Sequence, residues 1–137
     1  MSRARTVGWR ALLLRAGLLF TLWLGGCAAA PQGGLTEVIQ RPAERALLAG
    51  LRAYDDGQYT DAERELTQAL RIGLVSPKDR AAAQKHLAFV YCTSQRLKPC
   101  EEAFRAARVA DAEFALSRAE AGHPQWGPVY KRVAAAR

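Results

Sequence analysis

The chain has 137 residues, enough for one domain, and half of them are hydrophobic. Alanine is the most frequent residue type, whereas valine, isoleucine and threonine are sparse, a balance that favours packed helices over a β-sandwich or a sheet-based enzyme core. The net charge of +7 and the odd number of cysteines, three, must be assigned by position, because the N-terminal segment differs in composition from the rest.

The N-terminus has the pattern of an export signal. Four arginines, followed by a predominantly apolar run over 16–24, lead to Leu24-Gly25-Gly26-Cys27. The run is much shorter than the ~20 residues that a membrane-spanning helix needs. The last four residues resemble the bacterial lipobox, which implies a signal peptide over 1–26 and a diacylated Cys27. An ordinary secretory signal with an unrelated cysteine is the alternative.

The lipobox resemblance also implies a location. Ala28 follows the cysteine where an aspartate would retain the protein at the inner membrane, so we expect outer-membrane anchoring that faces the periplasm. Acyl chains anchor durably, since each buried CH₂ contributes ~0.8 kcal/mol. Residues 27–41 are predicted to be the acylated cysteine and a flexible tether. Loss of the signal arginines lowers the charge to +3, too weak and scattered for nucleic-acid binding.

Two helices are predicted after the tether. Pro42 suits the first residue of a helix that runs to Tyr54, and Asp55-Asp56-Gly57 ends it. The turn Gly57-Gln58-Tyr59 precedes a second helix from Thr60, where Thr60-Asp61-Ala62-Glu63 matches a capping box. Gly73 is a natural stop after this helix.

Four further helices follow in the chain. Ser76-Pro77 predicts the start of a third helix, and Pro99 the start of a fourth that runs to about residue 110. Asp111 is predicted to cap a fifth helix over 112–121, which Gly122-His123-Pro124 ends. Pro128 begins a short sixth helix.

The third and fourth helices repeat the pattern of the first and second at a constant offset. Small residues recur where the two helices of a pair approach, and larger ones recur beside them: Gly50 with Ala88, Ala62 with Cys100, Leu66 with Phe104, and Ala69 with Ala107. The offset is 38 residues in each case. Here the chain resembles the tetratricopeptide repeat (TPR) family, whose unit of about 34 residues is slightly shorter. The additional residues fall over 73–80. No tryptophan opens either first helix, and Leu74 and Ala112 replace the terminal prolines, which departs from the family pattern.

The TPR resemblance implies an all-α fold, a short TPR-like α-α superhelix. Two repeats occupy 42–112, and capping helices occupy 113–137. Because two repeats bury little surface alone, Trp126 and Tyr130 are expected to cap the stack. The alternative is that Trp126 and Tyr130 form an exposed partner-binding patch.

The two remaining cysteines are spaced for a structural link. Cys92 closes the third helix and Cys100 lies in the first turn of the fourth, so a disulfide in the oxidising periplasm is predicted to staple this pair of helices. The spacing is not Cys-x-x-Cys, which argues against a redox enzyme. A zinc site would also need His86 and His123, at spacings that match no ligand pattern. Catalytic and phosphate-binding motifs are absent, which predicts a protein that is not an enzyme and has no cofactor or metal.

The TPR resemblance implies that the first helix of each repeat lines a groove for a protein segment. Transferred by position, the groove residues are Glu44, Leu47, Leu51, Tyr54, Asp55, Ala82, Lys85, Phe89, Cys92 and Thr93. Tyr54 and Phe89 are the expected anchors, the leucines an apolar floor, and Glu44, Asp55 and Lys85 polar selectors. The alternative is a groove filled by the protein's own tail, 114–137.

The segment 119–130, together with the tether, repeats and staple, resembles small TPR lipoproteins associated with type VI secretion, the TssQ-like group. The resemblance implies an adapter that is an accessory component of that machine. Its partners would be envelope proteins, with no small-molecule substrate. An assembly or pilotin-type lipoprotein for another envelope complex is the alternative, and a periplasmic redox factor is a third class.

Overall fold

The computed structural model describes residues 41–136. Within this range the chain is all-helical, with six helices that contain three quarters of the residues and no strand, which confirms the all-α prediction. No helix of residues 41–136 combines the length and the apolar composition needed to cross a bilayer. The predicted signal peptide, Cys27 and the tether as far as residue 40 lie outside the described residues.

The first four helices form two hairpins. In chain order the helices are α1 (Pro42–Asp55), α2 (Tyr59–Ile72), α3 (Pro77–Thr93), α4 (Leu97–Ala110), α5 (Arg118–Ala121) and α6 (Gly127–Ala135). Helix α1 pairs with α2, α3 pairs with α4, and both helices of the first hairpin also pack against α3. The tail closes the far side, where α6 packs against α4 and α5.

The backbone turns of the two hairpins are equivalent at the predicted offset. The backbone N–H of Gly57 donates to the carbonyl of Tyr54 at 3.0 Å, and that of Gln95 donates to the carbonyl of Cys92 at 3.1 Å. Gly57 and Gln95 both have the positive φ typical of this kind of helix end, 74° and 61°. The register predicted from the side chains is therefore present in the hydrogen bonding.

In the core of each hairpin, a small residue on the first helix allows the second helix to come close, and a large side chain of the second helix packs beside it. A Cβ atom at Gly50 would lie 2.7 Å from Cγ of Leu66, so no larger residue fits at this contact without movement. At the equivalent positions of the second hairpin, Ala88 and Phe104 are both buried. All residues predicted to be equivalent between the repeats are buried.

Helix starts agree with the sequence patterns only in part. The Ser76 hydroxyl accepts from the backbone N–H of Asp79 at 3.2 Å, the cap predicted for α3. The capping box predicted at Thr60 is wrong, because α2 begins at Tyr59 and the residue before it, Gln58, makes no side-chain cap. Helix α4 begins two residues before Pro99, which is tolerated there because first-turn N–H groups have no helical partner.

The predicted fifth helix over 112–121 is wrong for most of its length. Only the turn Arg118–Ala121 is helical, and Ser117 caps it in a reciprocal box with Glu120. Tertiary contacts account for the difference, because the backbone N–H of Leu116 donates to the Tyr130 hydroxyl at 3.2 Å and the Leu116 side chain is buried. A helix through 112–117 would withdraw that N–H from the Tyr130 hydroxyl.

Candidate functional site

The two cysteines of the second hairpin form a disulfide. The Sγ atoms of Cys92 and Cys100 are 2.03 Å apart, and the Cα atoms are 5.3 Å apart. Both residues are buried, so the sulfur atoms are withdrawn from any substrate or partner. The geometry fits a structural staple between α3 and α4, and it removes Cys92 from the set of groove residues.

The first helix of each hairpin, α1 or α3, is called its inner helix. These two helices lie next to each other and form one surface, the α1–α3 face. Its side chains include six predicted groove residues and His86: Glu44, Leu51, Tyr54, Asp55, Lys85, His86 and Phe89. The predicted groove residues Ala82 and Thr93, also on α3, are half-buried. Tyr54 joins the two helices, because its ring centroid lies 5.1 Å from that of His86 and 6.2 Å from that of Phe89. This face is the candidate functional site.

The α3 half of the face is covered by residues 117–126, the tail strap. The Trp126 ring stacks on Phe89 with a centroid distance of 4.3 Å, and its indole N–H donates to the carbonyl of Glu120 at 2.9 Å. Phe89 is only 3% exposed as a result. The prediction that Phe89 anchors a partner is therefore wrong in this structure, and the alternative of a groove filled by the tail holds for this half.

The strap is also held by an ion pair. Lys85 Nζ donates to Glu120 Oε1 at 2.7 Å, and both side chains are largely shielded from solvent. Burial alone would raise the pKa of Glu120, but hydrogen bonds from Lys85 and Ser117 outweigh it and lower the pKa below its ordinary value. Lys85 is therefore engaged within the chain and is not a free polar selector.

The aromatic residues of the tail belong to the core. Trp126 is 9% exposed, and the half-buried Tyr130 ring lies 5.4 Å from that of Phe104. The alternative in which Trp126 and Tyr130 form an exposed patch is wrong, because both rings pack against α3 or α4. Sequence and structure agree instead on a capping role for them.

Within residues 41–136, no segment covers the α1 half of the face as the tail strap covers the α3 half. Leu47, predicted as part of the apolar floor, is buried in the core at 6% exposure, because α1 turns it toward the other helices. Leu51 and Tyr54 are half-buried, and Asp55 is exposed. Glu44, also half-buried, begins this strip at the other end of α1.

The open half contains two residues that the sequence pattern does not assign to the groove. Tyr59, 41% exposed at the start of α2, has its ring centroid 5.7 Å from that of Tyr54. His86 has Nδ1 2.8 Å from the carbonyl of Ala82, and burial is the main cause that lowers the pKa of His86. The motif Gly57-Gln58-Tyr59 marks only a turn in the sequence, so this neighbourhood becomes visible only when the helices pack.

Other chemistry has little support in the described part of the chain. No three His, Cys, Asp or Glu side chains of residues 41–136 are grouped to hold a metal ion. On the side formed by α2, α3 and α4, an open groove of about 360 Å³ has a mixed lining that includes Tyr91, Pro99 and Glu102. The lining of this groove does not provide a nucleophile beside a base.

No protein-family model matches the chain, and no similar protein was found among curated proteins or among solved structures. The case for a function therefore depends on the residues and their geometry.

Proposed function

We propose that the protein is a lipid-anchored adapter of the bacterial envelope that binds a segment of another protein on the α1–α3 face. The observation that carries this proposal is the division of that face. The tail strap occupies one half, and the other half leaves Leu51, Tyr54 and Tyr59 accessible beside Asp55. Tyrosine side chains are among the commonest anchors at protein interfaces, and apolar positions along a helix face can bind a peptide segment.

The finer fold that we propose is a short TPR-like superhelix. Two hairpins repeat with the same turn hydrogen bonds, and their inner helices α1 and α3 are neighbours. The close contact of Gly50 with Leu66 corresponds to the small-beside-large pattern of the family. The tail would then act as the terminal cap that such stacks require.

The proposed location is the periplasmic face of the outer membrane, with an acylated Cys27 as the anchor. The sequence Leu24-Gly25-Gly26-Cys27 and the following Ala28 support this proposal. The Cys92–Cys100 disulfide fits an oxidising compartment. The covalent lipid would be the only non-protein group, and the protein would not be an enzyme.

The machine that we propose is a type VI secretion system, with this protein as an accessory component. The support is the resemblance of segment 119–130, in which Glu120 and Trp126 of the tail strap are joined by a hydrogen bond. The second candidate is an assembly or pilotin-type lipoprotein for another envelope complex, which the same open face and anchor would serve.

Two experiments test the proposal. Mass spectrometry and membrane fractionation should find wild-type protein acylated in the outer membrane and Cys27→Ser unacylated outside it. Both proteins are produced in the same cells, so that acylated wild-type protein in the outer membrane serves as the internal reference. An unmodified wild-type Cys27 would contradict the anchor.

The partner is tested by cross-linking in intact cells. Leu51→Glu should lose the recovered envelope protein, whereas Val109→Glu, which introduces the same side chain at a position 87% exposed on α4, should retain it. Secretion-system membrane components in the recovered fraction would support the first machine, and a mislocalised outer-membrane protein in the deletion strain would support the second. Equal recovery by both variants would contradict an adapter that works through this face.

A further inference from the structure

We propose that one end of the helical bundle, the end where α1 begins, binds the surface of a lipid bilayer that contains anionic headgroups. This membrane-side end consists of Arg45, Arg71, Ile72, Val75 and Lys78. The contact rests on the proposed lipid anchor and adds to it, because it gives the folded domain a second attachment to the membrane and thereby an orientation on it.

The connections between the helices bring these residues to the same end. Only three or four residues connect each of α1, α2 and α3 to the next helix, and each of them packs against that next helix. Successive helices therefore run in opposite directions, so the start of α1, the end of α2 and the start of α3 lie at one end. In the sequence, residues 28–41 are all that separates the proposed anchor, Cys27, from this end.

The loop between α2 and α3 exposes apolar side chains at this end. Val75 is 75% exposed and Ile72 is also exposed, whereas Leu74 between them is buried in the core. The Arg80 guanidinium donates to the carbonyl groups of Leu74 and Val75 at 2.9 and 2.8 Å, which holds the loop on α3. Apolar side chains that enter the boundary between headgroups and acyl chains bind in proportion to the area that they remove from water.

Cations border this loop. Arg71 directly precedes Ile72, Lys78 is the second residue of α3, and Arg45 is the fourth residue of α1. Within residues 41–136 none of these three cations forms an ion pair. A basic residue beside an anionic lipid surface strengthens binding by about fivefold. Cations around an apolar loop are therefore complementary to anionic headgroups above acyl chains.

The two ends of the bundle differ in charge. Around the α2–α3 loop, α1 and α3 contribute the carboxylates of Glu44 and Asp79, fewer than the cations there. Asp111 and Glu113 follow α4, which among the described helices packs against α3 and not against α2. Four carboxylates flank the α1–α2 turn at the opposite end, and the first two form no ion pair within residues 41–136: Asp55, Asp56, Asp61 and Glu63. An anionic surface therefore attracts the membrane-side end and repels the opposite one.

The test uses the acylated protein in vesicles of phosphatidylcholine, either alone or with about one third phosphatidylglycerol. A neutral acetylating reagent modifies accessible lysines, and mass spectrometry gives the rate at each. Lys78 should react about threefold or more slowly on the anionic vesicles, because its ammonium group contacts the headgroups there. Lys98, the second residue of α4 at the opposite end, is the matched control and should keep its rate. High salt screens the attraction and should restore the rate at Lys78.

Matched variants locate the contact. Val75→Glu should raise the Lys78 rate on anionic vesicles about threefold or more, whereas Leu97→Glu introduces the same side chain at an exposed apolar residue of the opposite end and should leave it unchanged. Arg45→Gln should also raise the rate, and Arg52→Gln, nearer the other end of α1, is its control. The four wild-type side chains are exposed, so the variants are expected to fold like wild type.

The outcomes separate this contact from the anchor. Equal Lys78 rates on both kinds of vesicle, or equal effects of Val75→Glu and Leu97→Glu, would overturn the contact even if Cys27 carries its lipid. A Lys78 rate that falls with protein density on the vesicles would identify a second copy as the occupant, and protection in intact cells but on neither vesicle would identify an acidic protein; both would overturn it. If Cys27 is unacylated, slow modification of Lys78 in protein bound from solution to anionic vesicles would support the contact and contradict the anchor.

Discussion

The α1–α2 and α3–α4 hairpins have the same turn geometry but are stabilised by different means. Cys92 and Cys100 link the second hairpin covalently, whereas the equivalent residues of the first are Tyr54 and Ala62. Tyr54 instead contacts His86 in the neighbouring hairpin. Among the described residues, the first hairpin is therefore held by noncovalent contacts, within itself and with α3, while the second also has a covalent link.

The hairpins also differ in how far their inner helices are covered. Phe89 of α3 lies beneath Trp126 of the tail strap, whereas Leu51 of α1 has no such cover among the described residues and stays half-buried. A repeat pattern alone would give both inner helices the same role. Among the described residues, the terminal segment covers the α3 half and not the α1 half, which is where we propose that a partner binds.

Loss of the strap contact should have the largest effect. Trp126→Ala is expected to lower the free energy of unfolding by about 3–5 kcal/mol, because it removes a buried ring that stacks on Phe89. Chemical denaturation measures the loss, and hydrogen exchange should rise more in α3 and α4 than in α1 and α2. Trp126→Phe is the control that keeps a ring, and equal exchange in both hairpins would contradict the asymmetry.

Removal of the staple should come next. The double change of Cys92→Ala and Cys100→Ala is expected to cost ~2–3 kcal/mol, because the disulfide closes a short loop that restricts the unfolded chain. A reducing agent should lower the stability of wild type but not of the double variant. Function lost at unchanged stability would instead favour the redox class.

Changes at the close contact between the helices of each hairpin should have a smaller effect on stability. Gly50→Ala should destabilise by about 1–3 kcal/mol, because its Cβ would press against the buried Leu66 and outweigh the gain in helix propensity. At the equivalent position, Ala88→Gly should also destabilise, by roughly 1 kcal/mol, through loss of propensity. Thermal unfolding measures both, and a stabilising Gly50→Ala would show that Leu66 moves aside.

The equivalent turn positions allow an exchange of residues. Gln95→Gly should stabilise the second hairpin by about 0.5–1 kcal/mol, because glycine adopts the positive φ without steric cost. Gly57→Gln should destabilise the first by a similar amount. Denaturation midpoints of the two single variants test this, and changes of the same sign would show that the turns are not equivalent.

The smallest expected effect is a pH dependence from His86. Burial foremost, with help from Lys85, lowers the pKa of His86 below its ordinary 6.5, against the hydrogen bond to Ala82. As the pH falls, His86 therefore binds a proton in the unfolded chain before it does so in the folded protein. The stability that the neutral, buried His86 contributes is complete above pH 6.5 and is lost as the pH falls toward the folded pKa.

The measurement is the midpoint of thermal unfolding at pH 7.5 and pH 5.5. Wild type should lose more stability between these values than His86→Gln, which has no group to titrate there. Glu120→Gln is the comparison, because the lowered pKa of Glu120 gives stability that is lost only as the pH falls through 4.5 and below. Parallel losses in wild type and His86→Gln would remove His86 as the cause.

Local patterns predict the described hairpins well because their signals lie within a few residues of the structures they direct. Ser76 before Pro77 caps α3 as expected, and the small residues at Gly50 and Ala88 predict the register of the repeats. The one-residue error at Thr60 is local too, since Gln58 can begin the helix without a side-chain cap.

The candidate site was predictable only in part. Leu51, Tyr54 and Asp55 follow from their positions on the first inner helix, but Tyr59 and His86 join them from α2 and α3. Leu47 and Phe89 occupy the same pattern positions as accessible groove residues, and their burial depends on neighbours distant in the sequence.

The sequence by itself determined the helical class of the described chain, its two hairpins and the cysteine pair, because helix periodicity, turn residues and close spacing act over short distances. Only the tertiary structure decided the course of residues 112–117 and the division of the α1–α3 face. Helical preference over 112–117 gives way to the bond from Leu116 to Tyr130, and Trp126 reaches Phe89 from a distant part of the chain. Such contacts form only when the whole domain packs, so no local sequence pattern predicts them.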